Sequence, residues 1–282
     1  MIEYSRPEHL SASSCGVLDE CARKFYWSRG LGLKPQGVDL AQAFGSAVHK
    51  GWGAWYLKGT EAEAVAAFEA CFGRYEGLDA LRTLAKGREL VVGMARQFGG
   101  EEGETLGVEL EFGFRLTEGM RYVGKVDRLE KREGQVRVHE WKTSKWPGEF
   151  VSRPNQQVVG YLVGAELGLG RSDVVEAVVT IGGVYKSSRE GILKGIGGRS
   201  DRSVFTRETV GADEWEREEW ERDIQARMAE MERCEKQAYW PKSTGACSKW
   251  GGCPFLLLCQ SPVELREQLV ETMFEKRESE VE

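Results

Sequence analysis

The stretch Arg121–Lys145, RYVGKVDRLEKREGQVRVHEWKTSK, decides how the rest of the sequence is interpreted. Apolar and polar residues alternate on both sides of a charged turn at Lys131–Gly134, which predicts a β-hairpin. Residues two apart on a strand face the same side, so Glu140 and Lys142 project together, and strand pairing brings Asp127 near them. Two carboxylates and an ammonium group suit a divalent metal and a water that attacks a phosphodiester. A salt bridge on a solvated hairpin is the structural alternative.

The composition describes a chain with enough apolar side chains for a packed core. Of its 282 residues, 41% are hydrophobic and 10% are aromatic, which argues against global disorder. The start MIEYSRPEHLSASS lacks the basic and apolar segments of a signal peptide. No apolar run approaches the roughly 20 residues that a membrane helix requires. We therefore expect a cytoplasmic protein with no membrane partner.

Charge is distributed unevenly along the sequence. The formal net charge is −6, but the segments 121–153 and 186–207 each carry four more basic than acidic residues. Basic surfaces on an acidic body fit contact with a nucleic-acid backbone, and ordinary surface scatter is the alternative. Tyr185, beside the second segment, is a candidate for stacking on unpaired bases.

The seven cysteines indicate ligation of a metal or cluster. Without a secretory signal, a disulfide framework is not favoured. The run Cys247-x5-Cys253-Pro254-x4-Cys259 lacks the paired knuckles of a zinc ribbon. Four thiolates suit an iron–sulfur cluster, and the run supplies three of them.

Elsewhere the periodicity predicts helices around a mixed sheet, which is typical of an α/β domain. A first helix starts at Ser11 or Ser13 and continues through Trp27, with later helices at 40–57, 62–75, 81–98, 156–167 and 213–239. Strands are predicted at 107–116 and 174–184. The sequence also predicts a flexible basic loop at 191–199 and a frayed or disordered segment after Met273.

Four short patterns resemble, in order and spacing, the RecB-like branch of the PD-(D/E)XK nuclease superfamily. They are Gly45-x3-His49, Gly124-x2-Asp127, Glu140-x-Lys142-Thr143 and Gln157-x3-Tyr161. No single pattern is specific, but four in this order are. The resemblance covers Leu10 to about Pro262 and implies a restriction-endonuclease-like α/β core, a mixed sheet flanked by helices.

The resemblance also implies a role for each matched residue. His49, Asp127 and Glu140 would coordinate Mg²⁺ or Mn²⁺, with the backbone carbonyl of Trp141 as a further ligand. Lys142 would position or polarise the attacking water and offset the charge that develops at phosphorus. A packed core residue is the alternative for His49.

Three further residues belong to the same resemblance. Gln157 and Tyr161, one helical turn apart, would orient the lysine and contact DNA. Glu109 occupies a place where the family often has a supporting carboxylate. The sequence departs from the branch at Glu140, where aspartate is more usual.

The run CSKWGGCPFLLLC resembles the cysteine cluster of iron–sulfur members of this branch, such as AddB-type subunits and CRISPR-associated exonucleases. Their fourth cysteine lies on the N-terminal helix in a pattern that Cys21-Ala22-Arg23-Lys24-Phe25-Tyr26 matches, except that alanine replaces proline. The resemblance implies a structural [4Fe–4S] cluster joining the two chain ends, held by Cys21, Cys247, Cys253 and Cys259. Cys15 stays open as a substitute ligand, and unligated core cysteines are the alternative.

With this resemblance, the sequence predicts one nuclease domain over 1–265 and a charged tail over 266–282. The domain comprises N-terminal helices (10–100), a catalytic core (105–210) and a C-terminal helix with the cysteine cluster (213–262). We expect a metal-dependent deoxyribonuclease, with exonuclease action on single-stranded DNA or DNA ends.

Two other functions stay open at this point. One is a catalytically silent DNA-binding or scaffold module. The other is a nuclease subunit that acts only with a separate helicase or recombination protein, since no G-x4-G-K-[ST] phosphate loop occurs. Phage recombination, CRISPR adaptation and bacterial repair are pathways that suit such a chain.

Overall fold

A computed structural model of the chain describes residues 4–100, 103–145, 155–184 and 204–277. The chain forms two compact units. The terminal unit comprises Met1–Gly37, Gly113–Gly124 and Asp213–Glu282, and the core unit comprises Val38–Phe112 and Lys125–Ala212. Tyr185, the loop at 191–199 and most of the basic segment at 186–207 lie outside the described residues.

Helices and strands follow one another in a mixed order. The strands are β1 His9–Leu10, β2 Leu33–Pro35, β3 Glu104–Thr117, β4 Met120–Arg132, β5 Gln135–Ser144, β6 Val174–Gly183, β7 Phe205–Val210 and β8 Phe274–Lys276. The α-helices are α1 Ala12–Glu20, α2 Ala22–Phe25, α3 Leu40–Lys58, α4 Glu61–Phe72, α5 Leu84–Phe98, α6 Gln156–Leu167, α7 Glu214–Lys236, α8 Leu256–Gln260 and α9 Val263–Met273. Of the helices in the described part of the chain, none is long and apolar enough to cross a membrane.

The predicted hairpin is confirmed as β4 and β5. The two strands pair antiparallel, with Arg132 opposite Gln135 at the turn. The turn residues Glu133 and Gly134 have φ angles of 51° and 82°. Two consecutive residues with positive φ match the right-handed twist of the flanking strands, which keeps the strand ends aligned.

In the core unit, β5 is an inner strand of the sheet. It pairs antiparallel with β4 and parallel with β6, while β7 pairs antiparallel with β6, and β3 pairs with β4. The alternative of a salt bridge on a solvated hairpin is wrong, because Asp127, Arg128, Glu130 and Glu140 are all buried. Arg128 is only 1% exposed, so it does not belong to the predicted basic surface.

Helix α3 supplies the apolar face on which the hairpin packs in the core unit. Its start is capped by Asp39, whose carboxylate accepts hydrogen bonds from two backbone N–H groups, and Gly59 ends it with φ 80°. Phe44, Val48 and Trp52 are fully buried in a cluster that also contains Trp141. The helix predicted at 40–57 is therefore confirmed, and these three residues lie on its buried face.

The terminal unit shows that the predicted first helix is shorter than expected. Ser11 caps α1, and its side chain exchanges hydrogen bonds with Ser14. The helix ends at Glu20, because Cys21 adopts an extended conformation with φ −167° before α2 begins. The expectation of one helix through Trp27 is therefore wrong at Cys21.

The segment after Met273 is ordered as far as the described residues extend. Strand β8 pairs antiparallel with β2 in the terminal unit. Phe274 is 6% exposed, and its ring stacks on that of Phe255 with centroids 5.3 Å apart. The expectation of a frayed or disordered end is wrong for 274–276, because burial of this aromatic ring favours the paired strand.

A buried ionic network links β4 to β5 in the core unit. The Arg128 guanidinium donates to one oxygen of Glu130 at 2.9 Å, and Nε2 of His139 lies 3.0 Å from the other. The guanidinium carbon also lies 3.8 Å from the centroid of the Tyr56 ring. Burial by itself would raise the pKa of Glu130, but His139 and Arg128 lower it to about 2. Burial lowers the pKa of His139, so its imidazole is neutral at neutral pH and Nε2–H donates to the carboxylate.

We predict that Glu130→Gln lowers the free energy of unfolding by about 3 kcal/mol at pH 7, because the buried Arg128 loses its counter-charge. The folded pKa of Glu130 is about 2, below its ordinary 4.5, so its ionised form stabilises the protein above pH 4.5. This contribution is lost as the pH falls towards 2. Urea unfolding at pH 7 and pH 3 should therefore show a smaller difference between the two proteins at pH 3.

Glu133→Gln is the matched control, since this side chain is 82% exposed in the same hairpin. It should change the free energy of unfolding by less than about 0.5 kcal/mol at either pH. An equal effect of Glu130→Gln at both pH values would contradict the prediction.

Candidate active site

The structure places all the predicted site residues other than the cysteines in the core unit. Asp127 lies on β4, Glu140 and Lys142 lie on β5, and His49 lies on α3. Helix α6 contributes the remaining pair, Gln157 and Tyr161, and β3 contributes Glu109.

One group of side chains in the site offers a set of metal ligands. Ligand atoms of His49, Glu109 and Asp127 lie within 4.8 Å of one another. Nδ1 of His49 is 3.1 Å from Oδ1 of Asp127, and the Trp141 backbone N–H donates to Oδ2 at 2.6 Å. This N–H holds the Asp127 carboxylate, so one nitrogen and two oxygen ligand atoms lie close together. The set can hold a divalent cation.

Glu140 lies in a second cluster of hydrogen bonds within the same site. Its Oε1 is 2.5 Å from Nζ of Lys142 and accepts a hydrogen bond from Nε2 of Gln157 at 3.1 Å. The amide oxygen of Gln157 accepts from Lys142 at 2.9 Å, and its Nε2 lies 2.6 Å from the Tyr161 hydroxyl. The predicted arrangement of Glu140, Lys142, Gln157 and Tyr161 is thus present as one connected cluster.

Burial and neighbouring charges shift the pKa values of Asp127 and Glu140 in opposite directions. Burial raises the pKa of Glu140 to about 7. Burial would also raise the pKa of Asp127, but His49 and the Trp141 N–H hold it below its ordinary value. In return, Asp127 raises the pKa of His49 despite the opposing effect of burial. One carboxyl is therefore ionised at neutral pH, and the other is close to its midpoint.

The His49 ring packs against a cluster of aromatic side chains that includes Trp141. The Trp141 indole stacks on Tyr56 with centroids 5.7 Å apart and meets Trp52 edge-on at 5.8 Å. The His49 ring meets Trp141 edge-on at 6.0 Å. These contacts fix the imidazole, whose Nδ1 is the atom that faces Asp127.

Glu109 occupies a backbone conformation that few residues other than glycine adopt. Its φ is 54°, within strand β3. Such a conformation costs free energy, and within a strand it is a source of backbone strain of the kind that clusters at functional sites. Lys50 and Lys125 donate to its Oε2 at 3.0 and 2.8 Å. Burial would raise the pKa of Glu109, but these lysines hold it below its ordinary value.

The sequence did not single out these two lysines. Lys50 directly follows His49, and Lys125 lies two residues before Asp127 on the same strand. Lys125 counted only as one of the basic residues of the hairpin. The positive φ of Glu109, which brings its carboxylate to both lysines, has no signature in a single sequence.

The four predicted cluster ligands line one cavity in the terminal unit. Cys21, Cys247, Cys253 and Cys259 share this cavity with Lys24 and Lys242. The Ser243 backbone N–H donates to Sγ of Cys21 at 3.4 Å, and the Cys253 N–H donates to the Cys247 carbonyl at 2.8 Å. Cys15 does not line this cavity.

A mixed sheet flanked by helices, with buried carboxyls on a central hairpin, fits a restriction-endonuclease-like core. A sequence profile of the PD-(D/E)XK nuclease superfamily matches residues 9–260. The chain belongs to this superfamily. A search of curated proteins found no match.

A solved structure shares this fold. The crystal structure of a "Putative exonuclease" from Eubacterium rectale has a TM-score of 0.51 at 11% identity, and the match covers 86% of each chain. The structure of SSO0001 aligns at 12% identity over 80% of this chain and 77% of that chain, with a TM-score of 0.33.

We predict that Glu109→Gly is more stable than Glu109→Ala by about 1 kcal/mol, since glycine adopts positive φ without a steric penalty. Both variants lack the carboxylate, so both should bind Mn²⁺ more weakly than the unmodified protein. Urea unfolding and titration calorimetry measure the two effects. Equal stability of the glycine and alanine variants would show that the backbone at 109 is not strained.

Proposed function

We propose that this chain is a divalent-metal-dependent deoxyribonuclease that hydrolyses phosphodiester bonds, with exonuclease action on single-stranded DNA or DNA ends. The observation that carries the proposal is the buried pair Asp127 and Glu140, with His49 on one side and Lys142 on the other. Membership of the superfamily supports nuclease chemistry. The choice of an exonuclease rests on the sequence resemblance.

In this proposal, His49, Asp127 and Glu109 hold the cation, and Glu140 and the Trp141 carbonyl complete its ligand set. A bound Mg²⁺ or Mn²⁺ supplies a Lewis acid for the phosphate oxygen and lowers the pKa of a bound water. The protein supplies negatively charged and neutral ligands that suit this cation. The Trp141 N–H holds the Asp127 carboxylate in a fixed orientation.

Lys142 is proposed to direct the attacking water and to offset the negative charge that develops on the phosphate. Its Nζ is held by Gln157 and by Glu140. Because the Gln157 amide also contacts Tyr161, the lysine has little freedom to leave this position. Gln157 and Tyr161 therefore act as positioning residues in this proposal.

We also propose that Cys21, Cys247, Cys253 and Cys259 hold a structural [4Fe–4S] cluster. The chemistry of the donors supports this proposal, because four thiols around one cavity match the ligand number of such a cluster. The described cysteines are all free thiols. The lysines of the cavity, Lys24 and Lys242, bring positive charge to a site that would hold four thiolates.

The nuclease is tested with end-labelled single- and double-stranded DNA in the presence of Mg²⁺, Mn²⁺ or EDTA. We expect metal-dependent cleavage, and the label lost first reports the polarity. Lys142→Ala should reduce cleavage by about a hundredfold or more, the usual cost of removing a group that stabilises transition-state charge. Lys236→Ala removes an 81% exposed lysine of helix α7, outside both basic segments, and should leave cleavage unchanged.

If the protein binds DNA but does not cleave it with either metal, the proposal of a nuclease is overturned. A catalytically silent DNA-binding module would then remain. Cleavage that appears only after a separate helicase is added would identify a nuclease subunit. In both cases, a folded Lys142→Ala protein with the stability of the unmodified chain is needed for the comparison.

The cluster is tested by anaerobic purification and by the iron and acid-labile sulfide content per chain. We expect four of each, and a loss of both in Cys21→Ser and in Cys253→Ser. Cys71→Ser, at an exposed cysteine, and Cys15→Ser should keep the cluster. A colourless protein without iron would contradict the cluster. Loss of iron in Cys15→Ser, with iron retained in Cys21→Ser, would contradict the assignment of Cys21 as a ligand.

A further inference from the structure

Two lysines meet at a single carboxylate oxygen beside the proposed metal ligands. Lys50 and Lys125 come from different elements, α3 and β4, and both donate to Oε2 of Glu109. Their side chains are 53% and 36% exposed, whereas that of Glu109 is 18% exposed. The ammonium groups are therefore open to solvent, while the carboxylate that holds them together lies deeper.

Stability alone does not account for this arrangement. Partly exposed ion pairs contribute little free energy, and two ammonium groups at one oxygen repel each other. The positive φ of Glu109 adds a backbone cost. A strained residue that holds two like charges is costly for the fold, which points to a function of the lysine pair.

A cation at the site would compete with both lysines for Glu109. A carboxylate oxygen of Glu109 belongs to the ligand set shared with His49 and Asp127. A cation bound to this carboxylate, at the usual distance of about 2.1–2.5 Å, would lie close to both ammonium groups, which contact the same carboxylate. The divalent cation and the two lysines then carry four positive charges against the two negative charges of Glu109 and Asp127, while Glu140 is paired with Lys142. The excess of positive charge favours an anion beside the lysines.

We propose that Lys50 and Lys125 form a phosphate-binding site that is filled as a cation takes over Glu109. The inference rests on the proposed function of the site. Without a cation, Glu109 neutralises the lysines. With a cation bound, the two ammonium groups turn to a phosphate of the DNA strand, either a terminal monoester or an internal diester.

This exchange of partners couples the two ligands thermodynamically. Cation and phosphate bind better together than either does alone, and the coupling acts equally in both directions. Without DNA, the lysines weaken cation binding by occupying Glu109. The protein therefore takes up its metal most readily when a DNA strand is present.

The coupling is measured by the fluorescence anisotropy of an internally labelled single-stranded oligonucleotide, in EDTA and in Ca²⁺. For the unmodified protein, we expect Ca²⁺ to raise the oligonucleotide affinity at least about fivefold, the lower end of usual coupling factors. In the double variant Lys50→Gln/Lys125→Gln, Ca²⁺ should change that affinity less than twofold. Without DNA, the same variant should bind Ca²⁺ severalfold more tightly in calorimetry, since Glu109 is free of its lysines.

Lys58→Gln is the matched control, because it removes a lysine of the same helix, α3, that is 60% exposed. It should keep the coupling of the unmodified protein. Lys50→Arg/Lys125→Arg preserves the charges and should also keep it. If the double glutamine variant keeps the coupling, the cation itself contacts the phosphate and the inference is overturned.

Oligonucleotides that differ in their terminal phosphates show whether the site binds a terminal monoester or an internal diester. Oligonucleotides with a 5′-phosphate, a 3′-phosphate or no terminal phosphate are compared, with the nucleoside thymidine as the phosphate-free control. A stronger effect of one phosphorylated end assigns the site to a terminal monoester, and equal effects assign it to an internal diester. Equal coupling to thymidine would overturn the inference.

The result is separable from that of the nuclease test, because these measurements need no cleavage. Intact coupling without hydrolysis in Mg²⁺ or Mn²⁺ would overturn the proposed nuclease and keep the phosphate site. Hydrolysis without coupling would overturn only the phosphate site.

Discussion

The constraint on which the candidate site depends is the burial of charged groups in the central hairpin. Asp127 and Glu140 are 4% and 3% exposed, on strands whose neighbours cover them. Such burial is unfavourable unless each charge finds a partner. His49 and the Trp141 N–H supply partners for Asp127, and Lys142 and Gln157 supply them for Glu140. The positions of these side chains follow from this requirement.

The ionic network between β4 and β5 supplies the buried Arg128 with a partner of opposite charge. Arg128 and His139 lie opposite each other on β4 and β5, and Glu130 contacts both. A shift of the pairing would separate these charged partners and leave buried charges unpaired, which disfavours other registers. The register is also what places Asp127 and Glu140 on adjoining strands of one site.

Much of this architecture was predictable from the sequence, for identifiable reasons. The hairpin follows from alternation and a glycine turn, helix α3 from its apolar stripe, and the grouping of His49, Asp127, Glu140 and Lys142 from a pattern shared across a family. The burial of the charged side chains of the hairpin was not predictable. Charged residues such as Arg128 and Glu130 are expected to be exposed to solvent unless their buried partners are known. The φ of Glu109 and the break at Cys21 depend on tertiary contacts, and the short strands β1 and β8 pair with segments distant in sequence.

The terminal unit is assembled from three separate segments of the chain, and both segments of the core unit lie between them in the sequence. During synthesis, every residue of the core unit leaves the ribosome before Asp213 does. Strands β4 and β5 can therefore pair before the cysteines at 247–259 have been synthesised. Contacts that close over so many residues form late, because the entropy lost in joining distant segments is large. The order of translation thus makes the cysteine cavity one of the last parts of the protein to form.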